Sequence, residues 1–293
     1  AVGMRWFPDR KGMITGLAVA GFGFGAMGWV KVAGSWGQLI ERIGLANTFL
    51  VYGLSFAVLV LIGAIWMRMP PKGWAPEGYV APSATAAGGK EFTPWEMLRS
   101  PSFYLIFMTF AISASAGLMS IGLMKLYPME ALQAAGYGMA EASAIAGTAM
   151  AVFFSLANGV GRIVWGTLSD HLGRRLSVII MTGTQGVVLM IFSIVAGNEY
   201  MLYLSATLIG FNFGGNFALF PAFTADTFGN ASVGRNYPFV FLSYGVGGIA
   251  GPIFGGMLGD MGDFPTAFGI CGMACLLGGF LAMMVSHPQS DDS

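Results

Sequence analysis

The sequence predicts an all-α membrane protein with about eight transmembrane helices, and three observations predict it. Hydrophobic residues make up 55% of the 293 and charged residues 10%, against roughly 25% charged in soluble domains. Apolar runs approach the ~20 residues that a helix needs to cross a bilayer, at 12–33, 48–67, 102–127, 142–167, 176–196, 200–222, 238–258 and 264–285. The runs are continuous and rich in Gly, Ala, Leu and Met, whereas a membrane strand alternates apolar and polar residues over about 10 positions.

In chain order, Ala1-Val2-Gly3-Met4 leads straight into the polar cluster Arg5 to Lys11, as though a helix had just ended, so the N-terminus reads as cut. No basic start followed by a short apolar core marks a signal peptide. The spans 12–33 and 48–67 come next. In the first, Gly23, Gly25 and Gly28 match a G-x-G-x-x-G pattern, but a dinucleotide site needs a strand before that motif, and here it lies inside a span. Gly12/Gly16, Gly21/Gly25 and Gly210/Gly214 put small residues four apart, which lets helix backbones approach closely.

Residues 68–101 are rich in Pro, Gly, Ala and Ser and read as a linker. Six spans then fill 102–285, and 286–293 is a polar tail. Two spans and a stub before the linker, against six after it, would balance as six plus six if about four helices came first. On that arithmetic 1–67 is the remainder of an N-terminal bundle and 102–285 a complete C-terminal one. A Gly-rich helix after Asp9-Arg10-Lys11-Gly12 and another after Gly234-Arg235-Asn236 give a faint internal echo, as expected of parallel six-helix repeats.

Lys and Arg concentrate in cytoplasmic loops. With Arg162 set aside, ten of them (Arg5, Arg10, Lys11, Arg68, Lys72, Lys90, Arg99, Arg174, Arg175, Arg235) fall on one side and three (Lys31, Arg42, Lys125) on the other. Both ends of the chain are therefore expected inside, in a plasma membrane of the bacterial inner-membrane type. Zero net charge argues against a nucleic-acid partner and leaves the lipid bilayer as the evident one. Cys271 and Cys275, a turn apart in one span, read as packing residues. His171 and His287 lie in a loop and in the tail. No cluster suggests a metal or other cofactor, and no nucleophile with a base suggests an enzyme.

Arg162 is the residue this pattern does not explain. It sits inside the span 142–167, about two turns short of the next loop, and no carboxylate lies at its depth in the sequence. A guanidinium near a helix centre costs roughly 2.5–3.5 kcal/mol or more. Its fork of donors suits a carboxylate, so the counter-charge is another helix, a water-filled cavity or an anionic substrate, and the substrate is the reading preferred. Other polar groups at depth are Asn158, Gln185, Asn212, Asn216 and Tyr244; Gln185 reads as a hydrogen-bonding tie between helices. Lys31 and Lys125 read as snorkelling to headgroups.

After this span, Gly166-Thr-Leu-Ser-Asp170-His-Leu-Gly173-Arg174-Arg175 resembles the G-x-L-x-D-x-x-G-R-R loop of the major facilitator superfamily. The resemblance implies that fold, here from the end of helix 4 through helix 12 of twelve, and makes Gly166, Asp170, Gly173, Arg174 and Arg175 a conformational latch. NGVGRIVWGTLSDHLGRR (158–175), FNFGGNFALFPAFTADTFG (211–229), GRNY (234–237), YGVGGIAGP (244–252) and WFPDRKG (6–12) look like the oxalate/formate antiporter family within it, related to monocarboxylate transporters. That likeness implies a secondary transporter of small organic anions, with proton or counter-anion coupling, and gives Arg162 to the substrate carboxylate. It also turns Asn158, Asn216 and Tyr244 toward the pore.

Two departures shape the expectation. Monocarboxylate transporters carry an aspartate one turn before the arginine, where this chain has Asn158. Oxalate-specific relatives place a lysine in the eleventh helix, and 237–258 has none. One cation at depth suits a monocarboxylate such as lactate, formate or pyruvate better than oxalate. The alternative is a transporter of the same superfamily for sugars or drugs; a channel would need a selectivity ring, and none is visible.

Overall fold

The computed structural model describes residues 2–34, 37–71, 74–76 and 91–286, and these residues form helices and turns with no strand. In order they are α1 (Val2–Trp6), α2 (Lys11–Ala33), α3 (Leu39–Trp66), α4 (Pro94–Arg99), α5 (Pro101–Leu123), α6 (Leu126–Ala134), α7 (Met139–Thr148), a π-helical turn (Ala149–Phe154), α8 (Ser155–Leu172), α9 (Arg174–Val195), α10 (Glu199–Phe228), α11 (Val233–Asp260) and α12 (Phe264–Met283). Among them, six stretches are long and apolar enough to cross a membrane: α3, α5, α7 through α8, α9, α11 and α12. The other two predicted spans are also continuous helices, α2 with 23 residues and α10 with 30. Asn212 and Asn216 lower the hydropathy of α10, and the structure buries both.

Helix ends follow local chemistry. Thr93 and Glu96 form a capping box ahead of Pro94. Asn198 accepts from the Met201 N–H at 3.1 Å to start α10, and the Asp263 carboxylate accepts from the Thr266 N–H at 3.3 Å to start α12. Between α8 and α9 the whole turn is Gly173, at φ 86°, a conformation that costs a residue with a Cβ.

The most extensive pairings are α9 with α12, α5 with α11, α2 with α8, and α8 with α10. Small residues make these close approaches possible, because backbone carbonyls sit where a Cβ would stand. Gly247 meets the Ala111 carbonyl, Gly251 that of Ser115, Gly186 that of Gly272, and Gly210 and Gly214 those of Phe154 and Asn158. The core divides into an aromatic cluster around Tyr127, Phe192 and Phe268 at one end and another around Phe110, Trp165 and Phe220 toward the other. Phe110 and Phe220 stack with centroids 4.2 Å apart. By contrast α3 exposes nearly all of its apolar surface.

Several sequence expectations change here. The pairs Gly12/Gly16 and Gly210/Gly214 are packing sites, but Gly21 and Gly25 face open space among the described residues. Gln185 is buried without a hydrogen-bond partner for either amide atom among the described residues, so it is not a tie between helices. The linker predicted over 68–101 is folded at its far end. There Glu91 accepts from the backbone N–H groups of Ala231 and Ser232 at 2.9 and 2.7 Å, and α4 follows. Lys72, Lys90, His287 and most of the predicted tail lie outside the described residues. Cys271 and Cys275 are free and buried, as packing residues should be.

Candidate functional site

Arg162 is the centre of the first constellation. Its residue is 2% exposed, because Gly161 lets α8 press against the Phe211 carbonyl of α10 on one side while Gly16 brings α2 onto the Arg162 carbonyl on the other. The spacing of four places Asn158 one turn away on the same face. Its Oδ1 accepts from Arg162 Nε at 3.1 Å and from Nη2 at 2.9 Å, holding the guanidinium edge-on. Nη1 reaches across to α2 and donates to the Val19 carbonyl at 2.7 Å. The cation lies over the Phe217 ring, 4.3 Å from its centroid, and Phe217 in turn meets Tyr244 edge to face at 5.3 Å. A cation over a ring gains about 2 kcal/mol when desolvated.

Of the four residues expected at this site, the structure brings together Asn158 and Arg162 directly, and Tyr244 through Phe217. Asn216 is set apart. It is fully buried, and its Oδ1 accepts from Ser113 Oγ of α5 at 2.7 Å, while its Nδ2 has no hydrogen-bond partner among the described residues. Phe217 and the Val19 carbonyl are the components that residue type alone did not reveal. An aromatic in a membrane span carries no mark of function, and a backbone carbonyl has no sequence signature.

A second constellation lies about two turns further along α8. Asp170 spans the gap to α2, its Oδ1 accepting from the Gly12 N–H and its Oδ2 from the Met13 N–H, both at 2.9 Å. It thus serves the unsatisfied donors and positive dipole end of a helix that is not its own. Arg174 donates to Asp170, to Ser169 Oγ and, through Nε, to Asp226 Oδ2 at 3.0 Å. Lys11 closes the set with a 3.0 Å bond to Asp226 Oδ1. Two acids and two bases from α2, α8, α9 and α10 thus form one clasp. Gly12 and Gly166 make it possible, each lying where a Cβ would strike the other's carbonyl. Of the predicted loop residues, Gly166, Asp170, Gly173 and Arg174 build this arrangement. Arg175 is exposed and makes none of these bonds.

Two clefts flank these sites. One of about 300 Å³ lies between the start of α2 and the α10–α11 side, lined by Ile14, Thr15, Val19, Pro221 and Tyr237, and Val19 is the residue that receives Arg162. Pro221 has no N–H for the Phe217 carbonyl four residues before it, which loosens α10 in the turn that carries Phe217. The larger cleft, about 600 Å³, lies beside the α8–α9 turn.

Comparison with known proteins places the architecture. The family profile described as Major Facilitator Superfamily matches residues 141–293, just over half of the chain. The chain belongs to the major facilitator superfamily. The matched stretch contains Arg162 and the whole Gly166 to Arg175 loop, while α2, which closes on both, precedes it. A solved variant of the Escherichia coli fucose:proton symporter FucP superposes with a TM-score of 0.66 over 98% of this chain and 72% of that one, at 13% identity, and so shares the major facilitator fold.

Superfamily relatives by sequence include an uncharacterized transporter, YhjX, of Escherichia coli strain K12, 27% identical over 84% of this chain and 57% of its own length. The oxalate:formate antiporter of Oxalobacter formigenes is 28% identical over 96% and 63%. Apicoplast pyruvate carrier 1 of Toxoplasma gondii is 25% identical over 82% and 52%. The chain therefore spans between about half and two thirds of the length of these curated relatives.

Proposed function

We propose that this chain works in the secondary transport of small carboxylates, monocarboxylates foremost, by alternating access, with Arg162 as the group that binds the carboxylate. The observation that carries the reading is the place of the guanidinium. It is buried at the seam between α2 and α8, and one of its donors crosses that seam to a neutral backbone carbonyl. A carboxylate is a stronger acceptor for that donor than an amide carbonyl, since it brings a full negative charge and two oxygens that match the guanidinium fork. An arriving anion would take over Nη1 from Val19 while Asn158 keeps the other edge of the fork in position. Tyr244 and Phe217 would wall the site. Two relatives whose names include oxalate, formate or pyruvate support the class.

The Asp170–Arg174–Asp226–Lys11 clasp is, on this reading, the latch that holds α2 against α8 at the cytoplasmic face. The test is substrate counterflow in the full-length protein. Arg162→Lys, which keeps the charge but loses the fork, and Arg162→Gln should both abolish exchange of labelled lactate, formate or pyruvate at unchanged membrane abundance. Near-normal exchange by the Gln variant overturns the assignment.

A further inference from the structure

The cleft of about 600 Å³ beside the α8–α9 turn takes no part in the site at Arg162, and its lining divides by chemistry. Leu172, Leu176, Ile179 and Phe223 form an apolar wall. At the rim stand Arg174, Arg175 and Asp226. Both Asp226 oxygens are taken, one by Lys11 and one by Arg174, and Arg174 also donates to Asp170 and Ser169. Those four charges cancel. Arg175 is exposed and has no ion-pair partner among the described residues. The lining therefore combines an apolar wall with one guanidinium that has no ion-pair partner among the described residues.

We propose that this cleft binds an anionic phospholipid, with the phosphate on Arg175 and an acyl chain along Leu172, Leu176, Ile179 and Phe223. A guanidinium grips phosphate oxygens in a fork, and basic pockets between membrane helices at a headgroup surface are suited to acidic lipids. A soluble anion would leave the apolar wall unused. A zwitterionic lipid would bring its own cation to the rim. The bound lipid would lie against Gly173 and Arg174, and so against the turn from which the clasp is built. The inference does not depend on what Arg162 carries.

The experiment is native mass spectrometry of the purified full-length protein with phosphatidylglycerol or phosphatidylcholine of the same acyl chains. The wild type should retain phosphatidylglycerol in preference. Arg175→Gln should lower that retention about fivefold, the effect of one basic residue at a lipid surface. Ile179→Trp, which fills the trough, should lower retention of this lipid while Arg175 is intact. Arg10→Gln, an exposed arginine that does not line the cleft and is paired with Asp9, should leave it unchanged. Arg175 is exposed, so its variant keeps the fold, checked by an unchanged melting temperature. Wild-type retention in Arg175→Gln overturns the proposal, as does displacement of the lipid by inorganic phosphate alone, which would make this a soluble-anion site.

Discussion

At the scale of single residues, the fixed part of the proposed carboxylate site is Asn158. It makes two of the bonds to the guanidinium, and a hydrogen bond to a charged group contributes roughly 1.5–3 kcal/mol. Asn158→Leu should raise the KM for monocarboxylate uptake by about tenfold or more with little change in abundance, because an arginine free to swing no longer presents its fork. An unchanged KM would make Asn158 a bystander. The pairing of Asn158 with Arg162 was legible in the sequence, since residues four apart share a helix face. The place of Asn216 was not. Buried residues surround α10 on nearly every side, so its pattern has no polar face from which to read where an asparagine points. Arg175, grouped with Arg174 by the loop pattern, makes none of the clasp bonds: a motif gives residue types in order, but only Arg174 lies on the side of α9 that meets Asp170 and Asp226.

At the scale of elements, each apolar run became a helix, and several ends moved outward while others, such as that of 102–127 at Leu123, moved inward. The run at 142–167 became a helix from Met139 through Leu172, and that at 200–222 became Glu199–Phe228. Hydropathy marks what lies in lipid, whereas a helix continues until a cap or a glycine stops it, here Gly173 and Gly229. The π-helical turn at Ala149–Phe154 left no trace in composition. Ser155 Oγ bonds the Met150 carbonyl five residues back at 3.0 Å, a feature of local winding that side-chain periodicity does not encode. One exacting contact is that of α2 on α8, where a Cβ at Gly16 would collide with the Arg162 carbonyl. Gly16→Val should hold the two helices apart. In the full-length protein, single cysteines on α2 and α8 near the clasp should become more reactive to a membrane-impermeant thiol reagent applied from the cytoplasmic side, and turnover should fall. Unchanged reactivity would mean that the two helices do not separate during the cycle.

At the scale of the whole molecule, the proposed clasp and the proposed anion site share one moving part, α2. Asp170→Asn removes the charge that faces both Arg174 and the start of α2. It touches no group near Arg162. It should therefore shift the balance between the two access states and slow exchange while leaving equilibrium affinity within a few-fold. A large loss of affinity with unaltered accessibility would contradict the latch. Selectivity is also a whole-molecule property, because it depends on every cation that reaches the seam. Arg162 can neutralise one carboxylate, and a second, dehydrated charge would be costly without its own partner. In proteoliposomes, oxalate as a dianion should compete with labelled lactate less well than formate and pyruvate do. The reverse order would show that a further cation reaches the site.

The bond from Arg162 to the Val19 carbonyl has a consequence for how tightly such a carrier can hold its cargo. A ligand that must first displace an internal partner is bound with an apparent affinity reduced by the share of molecules in which that partner is engaged. With a charged donor contributing roughly 1.5–3 kcal/mol, the reduction is tenfold or more. The same bond ensures that the unloaded guanidinium is never left bare in a low-dielectric seam. Affinity and speed are thus set against each other. A variant whose α2 cannot reach Arg162 should bind its anion more tightly at equilibrium and release it more slowly, so the tightest binder in a mutant series should be among its poorest carriers.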